Sequence, residues 1–392
     1  MKAEFSLDKI IEASCELISI PSRNPPGEEK ACAEHIYKKL KEMGVEAYLV
    51  EAPFHNRPQV VGILRGVAPH PTLILNGHMD VVPEGDLRLW KTDPFSGTVV
   101  NDRIYGRGAC DMKSALAMML EIARSLAGKK LHGTVVLTFA SGEERLEPGT
   151  KYLLTEFLPK HGINGDFGVV LEPTGCNIGV AEGGGLWTKV VVKGRSAHSS
   201  TPEKGINAIS KAAKLISRID DYNISLMKSK KHPLVRGPSI KVTMINGGIK
   251  ENIIPEACTM IVERRVLPTE SLPEARRELA WLLSEVSKED PDLRYEIDEV
   301  TSWEPAEVEQ DSFIVKQLIK SHKSVMGKEP KIVGVPYGTD MRNFVIDAKI
   351  PCAIFGPGNI EEAHSVNESI SVEEINNSMK ILFSLLENTA IV

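Results

Sequence analysis

The chain has 392 residues, 42% of them apolar, and carries 47 basic against 53 acidic side chains for a net charge of −6. That length buries a sizeable core and, at roughly 150 residues per domain, predicts two or three domains. Acids and bases are mixed throughout, which excludes nucleic acid and anionic membrane as the main partner.

The first 22 residues, "MKAEFSLDKIIEASCELISIPS", have the apolar spacing of an amphipathic helix and lack the uninterrupted apolar core and cleavage site of a secretory signal. No stretch approaches the ~20 apolar residues of a membrane span. The six cysteines (Cys15, Cys32, Cys110, Cys176, Cys258 and Cys352) are scattered with no C-x-x-C pair, so reduced thiols and a cytoplasmic location are expected. A helix follows over 27–43, with Cys32, Ile36, Leu40 and Met43 on one face and Gly44 as its stop. Apolar runs at 59–64 and 72–75 predict strands. Next come a helix over 112–126, a strand at 134–139, a helix at 149–158 and a strand at 167–171. Strands interleaved with helices imply an α/β mixed sheet with helices on both faces.

The pattern changes near Gly183–Gly185. Strand (186–193), helix (203–218), strands (238–246 and 257–266), helix (270–286) and strand (293–299) follow in the ferredoxin-like order. This predicts a separate α+β domain over 183–298 that interrupts a larger domain made of 1–182 and 299–392. In the returning segment a helix begins near Asp311, strands lie at 331–335 and 351–355, and Ile375, Met379, Leu382 and Leu386 mark a final helix.

Acids and histidines gather just past predicted strands of the larger domain. "LILNGHMDVVP" supplies His78 and Asp80, "FASGEER" Glu143 and Glu144, "VVLEPTG" Glu172, and "FGPGNIEEAHSV" His364, while "YGRGACDMKSA" puts Asp111 in a Gly-rich turn before a helix. Open α/β sheets bind ligands outside the carboxyl ends of their strands. Each residue alone has a plain reading: a hydrogen-bonded histidine, helix-start acids at Glu143 and Glu144, a cap at Asp111, a loop acid at Glu172. Together, so many acids without cations would repel. Imidazoles plus carboxylates suit Zn²⁺, Co²⁺ or Mn²⁺, and two such ions ~3.5–4 Å apart need one bridging carboxylate. Glu143 and Glu144 point to opposite faces of an extended chain, so they divide the labour between ligand and base. Asp80 is expected to accept the other ring N–H of His78.

In this order "GHMDVVP", "GRGACDMKSA", "SGEE", "LEPTG", "KGRSAHSSTPEKGINAI", "NIIPE" and "EEAHSVNE" resemble the M20 family of dinuclear zinc amidohydrolases and peptidases. The resemblance implies a catalytic α/β domain interrupted by a lid that serves as a dimerisation domain in many members. By position, Asp111 matches the bridging ligand, His78 and Glu172 the ligands of one metal, Glu144 and His364 those of the other, and Glu143 the catalytic base. It also implies a cis peptide at Asp111–Met112, an oxyanion role for His198, and substrate-carboxylate contacts at Asn252 and Arg265. Gly338, Thr339 and Asp340 match a substrate loop. Plain readings compete: a loop histidine for His198, a salt bridge to a lid acid for Arg265. The chain reads Tyr-Gly-Thr-Asp where desuccinylases tend to read Gly-Thr-Ser-Asp, and "RLEPGT" departs from the small-residue run common after the glutamates. The expected enzyme cleaves the amide of an N-acyl amino acid, like a deacetylase or desuccinylase of amino-acid biosynthesis. A dipeptidase or carboxypeptidase with the same machinery is the alternative, and a non-catalytic binding protein the remote one. The expected assembly is a homodimer through the lid.

Overall fold

The computed structural model describes residues 4–389. The chain divides into two compact units: Met1–Val180 with Val308–Val333 and Thr339–Val392, and Ala181–Glu307 with Gly334–Gly338.

In the first unit the strands run Glu46–Val50, Gln59–Leu64, Thr134–Ala140, Thr72–His78, Phe167–Val170, Cys352–Ile354 and Ile178–Glu182 across a mixed sheet. Thr72–His78 pairs in parallel with Thr134–Ala140 and with Phe167–Val170, which pairs in parallel with Cys352–Ile354. These strands are buried on both faces, which is why they read as continuous apolar runs rather than alternating ones. Register aligns their ends: His78 lies opposite Ala140, Asn76 opposite Val170, and Val170 opposite Ile354. Four carboxyl ends therefore open onto one edge.

Helices cover the sheet. Leu7–Ile18 starts at Ser6, whose hydroxyl accepts the Lys9 N–H, and buries Ile10, Leu17 and Ile18. Ser114–Leu126 is buried almost all round, and Val372–Asn388 buries Ile375, Met379, Leu382 and Leu386. The turn before Ser114–Leu126 is tied down by Lys113, whose buried Nζ donates to the carbonyls of Leu17 (3.0 Å) and Ile20 (2.6 Å).

The second unit has an antiparallel four-stranded sheet in the order Ser239–Gly247, Ala257–Val266, Gly184–Lys193, Arg294–Trp303. Helices Ala208–Ser229 and Leu272–Glu289 pack on one face, around Val190, Val192, Met260, Leu215 and Leu283. This is the ferredoxin-like order. Several boundaries differ from the sequence reading. The last strand runs to Trp303 rather than ending at 299, because polar residues alternate along an edge strand and read as linker. Residues 334–338 also belong to this unit, although they follow a segment of the other. The helix expected over 203–218 starts at Ala208, capped by the Asn207 side chain, and extends to Ser229.

Candidate metal centre

Six side chains meet at the carboxyl edge of the parallel strands. His78 ends its strand. Glu143 and Glu144 form a short turn after Thr134–Ala140, entered through Gly142 at φ 93°, a conformation that favours glycine. Glu172 follows Phe167–Val170, His364 comes from the long loop after Cys352–Ile354, and Asp111 lies in the turn before Ser114–Leu126. The Asp111–Met112 peptide is cis.

Asp111 stands in the middle. Its Oδ1 is 3.1 Å from His78 Nε2 and its Oδ2 is 3.3 Å from His364 Nε2. Glu172 Oε1 is 3.5 Å from His78 Nε2, and Glu144 Oε2 is 3.1 Å from His364 Nε2. One carboxylate thus faces two imidazoles, each with its own glutamate. Two ligand atoms ~2.1 Å from a tetrahedral zinc stand ~3.4 Å apart, so these separations are those of donors sharing a cation. The donor set therefore fits divalent metal: His78, Asp111 and Glu144, and likewise His78, Glu143 and Glu172, bring ligand atoms within 4.8 Å of one another.

The electrostatics point the same way. Burial opposes charging of His364, yet Asp111 and Glu144 outweigh it and lift the imidazole to about 11. Burial likewise opposes, and Asp111 and Glu172 overcome, in raising His78 well above its usual range. Burial pushes Asp111 up, but the two imidazoles win and lower it. Glu172 rises to about 7 through burial and then the Asp111 charge. The cluster draws positive charge onto its imidazoles, and bound cations would supply it instead, leaving neutral ligands.

Glu143 is buried, and its Oε1 has no hydrogen-bond partner among the described residues. Burial raises it well above the usual carboxyl range. Arg342 Nη1 lies 3.8 Å away, held by the Thr339 carbonyl. A buried carboxyl with an oxygen free of hydrogen bonds beside the donors suits a proton carrier.

The structure corrects the role expected of Asp80. His78 Nδ1 donates to the backbone carbonyl of Asp80 at 2.9 Å, while the carboxylate Oδ1 stands off at 3.8 Å. That carboxylate accepts the backbone N–H groups of Gly142 (3.0 Å), Glu143 (3.2 Å) and Glu144 (3.1 Å), and the Asn24 amide (2.9 Å). Three converging N–H donors outcompete one ring nitrogen, so the side chain holds the glutamate turn and the backbone orients the histidine. Thr339 is fully buried and its hydroxyl accepts the Met341 N–H at 3.0 Å, which anchors its turn. Asp340 is buried too, accepting from Thr150 (2.6 Å) and Asn343 (2.9 Å).

His198, Asn252, Arg265 and Gly338 belong to the second unit. His198 is exposed, with Nδ1 2.7 Å from Ser200 Oγ, and the Asn252 carbonyl accepts the Ser199 N–H at 3.0 Å. Arg265 does form the salt bridge of its plain reading, to Glu263 at 2.8 Å, and is half-buried. The neighbouring Arg264 is fully buried against Glu270 and Glu278.

Sequence reasoning missed Glu368. Its Oε1 accepts the N–H groups of Cys110 (2.9 Å) and Asp111 (3.1 Å), and Arg107 holds its other oxygen at 2.5 Å. It also missed Arg342 and Asn24. A charged residue four positions after His364 was the available signal for Glu368; nothing local flagged the other two.

The parallel strand ends, the shared carboxylate and the buried Glu143 define a hydrolase built around a cluster of metal-binding donors. The profile of peptidase family M20/M25/M40 matches residues 74–388, and the chain belongs to that family, whose members are metallohydrolases acting on amide bonds. It is 30% identical over 400 residues to the N-formyl-4-amino-5-aminomethyl-2-methylpyrimidine deformylase of Halalkalibacterium halodurans, covering 94% of this chain and 92% of that one. It is 30% identical over 319 residues to the acetylornithine deacetylase of Photorhabdus laumondii, covering 81% and 79%. The fold matches an M20 family metallo-carboxypeptidase from Sulfolobus solfataricus with a TM-score of 0.84 at 22% identity, over 98% of this chain and all of that one.

Proposed function

We propose that the protein hydrolyses the amide bond of N-acyl amino acids with two divalent ions, zinc being best suited to the donors. Asp111 carries the reading: each of its oxygens faces a different imidazole, as a bridging ligand requires. His78 and Glu172 would hold one ion, Glu144 and His364 the other. Such ions polarise a carbonyl and acidify water. Glu143 takes the proton of the attacking water as its oxygen adds to the carbonyl carbon. When the C–N bond breaks, Glu143 returns that proton to the leaving nitrogen, giving an amine and a carboxylic acid whose own proton then passes to the amine or to solvent. His198 is the proposed donor to the oxyanion, and Asn252 and Arg265 the recognition groups for a substrate carboxylate.

Two further readings have specific support. The likeness to a deformylase over nearly the whole chain favours a formamide of an aminomethyl heteroaromatic ring. The fold of the metallo-carboxypeptidase favours a terminal peptide bond. A zinc- or cobalt-loaded assay separates them: N-acetylornithine, N-succinyl-diaminopimelate, other acyl amino acids, dipeptides and an N-formyl aminomethylpyrimidine. Turnover confined to the last compound would overturn the acyl-amino-acid reading. We also propose a cytoplasmic homodimer joined through the second unit. Its edge strand Ser239–Gly247 leaves Met244 68% exposed, the turn beyond leaves Ile249 83% exposed, and all six cysteines are free thiols.

A further inference from the structure

The second unit carries a cluster around Arg265, the recognition group proposed above for a substrate carboxylate, and sheet register builds it. Antiparallel pairing sets Lys241, Glu263, Trp187 and Thr301 in one row across the sheet, and Ser239, Arg265, Gly185 and Trp303 in the next. Val190, Val192, Met260 and Val262 point to the helices, so Trp187, Glu263 and Arg265, at odd positions of the same strands, lie on the helix-free face.

Gly185 leaves a gap in its row, and the Trp303 indole fills it. A Cβ on Gly185 would stand 2.3 Å from the ring, and one on Gly338 2.6 Å from it. The indole N–H donates to the Gly183 carbonyl at 3.1 Å, so the ring is locked between two backbones. The Arg265 guanidinium lies over this ring, 5.3 Å from its centroid. Glu263 Oε1 fixes it from one side, through Nε at 3.0 Å and Nη2 at 2.8 Å. The same oxygen accepts the Trp187 indole N–H at 3.3 Å, and Trp187 stands edge-on to Trp303 at 5.6 Å. Arg265 and Trp187 therefore share one acceptor and remain 34% and 36% exposed. The Nη1 edge of Arg265 has no hydrogen-bond partner among the described residues.

We propose that this face is a recognition subsite for an N-acylated amino acid with an aromatic side chain, the carboxylate on the Nη1 edge of Arg265 and the ring against Trp187. A guanidinium held in plane takes a carboxylate through paired N–H groups. Glu263 is shared with Lys241, whose Nζ lies 3.5 Å from its Oε2, so the cluster keeps a positive excess for a carboxylate. Carboxylate and flat ring together fit what the face offers. The ligand class rests on the acyl-amino-acid reading above, and the test separates the two.

Calorimetric titration of the metal-loaded Glu143→Gln protein with N-acetylphenylalanine and N-acetylalanine reads binding without turnover. N-acetylphenylalanine binds roughly tenfold tighter, the scale of one aromatic pair plus some buried area. Trp187→Ala abolishes that preference, Trp187→Phe retains most of it, and Arg265→Ala weakens both ligands. Thermal melts of each variant verify folding, and Trp187→Phe keeps the test open should the alanine variant unfold. Equal binding of the two ligands, no binding of either, or equal losses on Trp187→Ala would overturn the subsite. Wild-type turnover is read apart: a preserved binding preference without hydrolysis of either compound overturns the acyl-amino-acid reading of the activity and supports the subsite.

Discussion

Asp80→Asn isolates what the Asp80 carboxylate does. In the structure Oδ1 accepts the Gly142 and Glu143 N–H groups, and Oδ2 accepts those of Glu144 and the Asn24 amide. Asparagine keeps the size but turns one oxygen into a donor, which then opposes two N–H groups. Hydrogen bonds to a charged acceptor contribute ~1.5–3 kcal/mol each, so losing two loosens the turn by about 3 kcal/mol or more. Glu144 would feel this as a 10–100-fold weaker metal site, the usual cost of a disturbed supporting bond, or ~1.4–2.8 kcal/mol. The His78 site should hold, because its orienting bond goes to the backbone carbonyl, which asparagine retains. Stepwise metal titration of apo-protein resolves two constants, with Glu144→Ala and Glu172→Ala identifying each. Should the constant lost in Glu172→Ala fall as far as that lost in Glu144→Ala, the backbone account of His78 is refuted.

Other outcomes are expected. Glu143→Gln keeps both ions and loses several orders of magnitude in turnover; near-normal kcat would remove Glu143 as base. Chelation lowers the melting temperature as well as abolishing activity, since the buried carboxylates lose their counter-charge, and added zinc, cobalt or manganese restores both. An unchanged melt on full metal removal would contradict the cluster's electrostatics. Asp290, held at about 2 by Lys211 and Lys214, adds stability that is complete above its unfolded value of ~3.9 and fades as pH falls through its folded one. Asp290→Asn should therefore lower the urea midpoint near neutrality and match the parent near pH 2, and a gap that persists there would argue against the pairing.

Much of this was legible in the sequence for a physical reason. Strands buried on both faces announce themselves as apolar runs, and the residues just beyond them, His78, Glu143, Glu144 and Glu172, are placed on one edge by parallel pairing alone. His364 was legible only in company, as one of several acids and imidazoles after strands. What failed needed three dimensions. Sequence cannot tell whether Asp80 meets His78 through its carboxylate or its carbonyl, because the competing donors of the glutamate turn lie more than sixty positions away. Glu368 is separated from the Asp111 N–H it accepts by 257 positions. The end of the second unit was misplaced because Trp303 is specified by the empty space over Gly185, not by its neighbours in the chain.

The unit that houses the donor cluster is assembled from three stretches of polypeptide, the last beginning at Thr339. A ribosome that has emitted only the first 180 residues has released His78, Asp111, both turn glutamates and Glu172, but no His364. By the assignment proposed above, such a fragment carries the ligands of one ion and lacks a ligand of the other, together with the interior strand Cys352–Ile354.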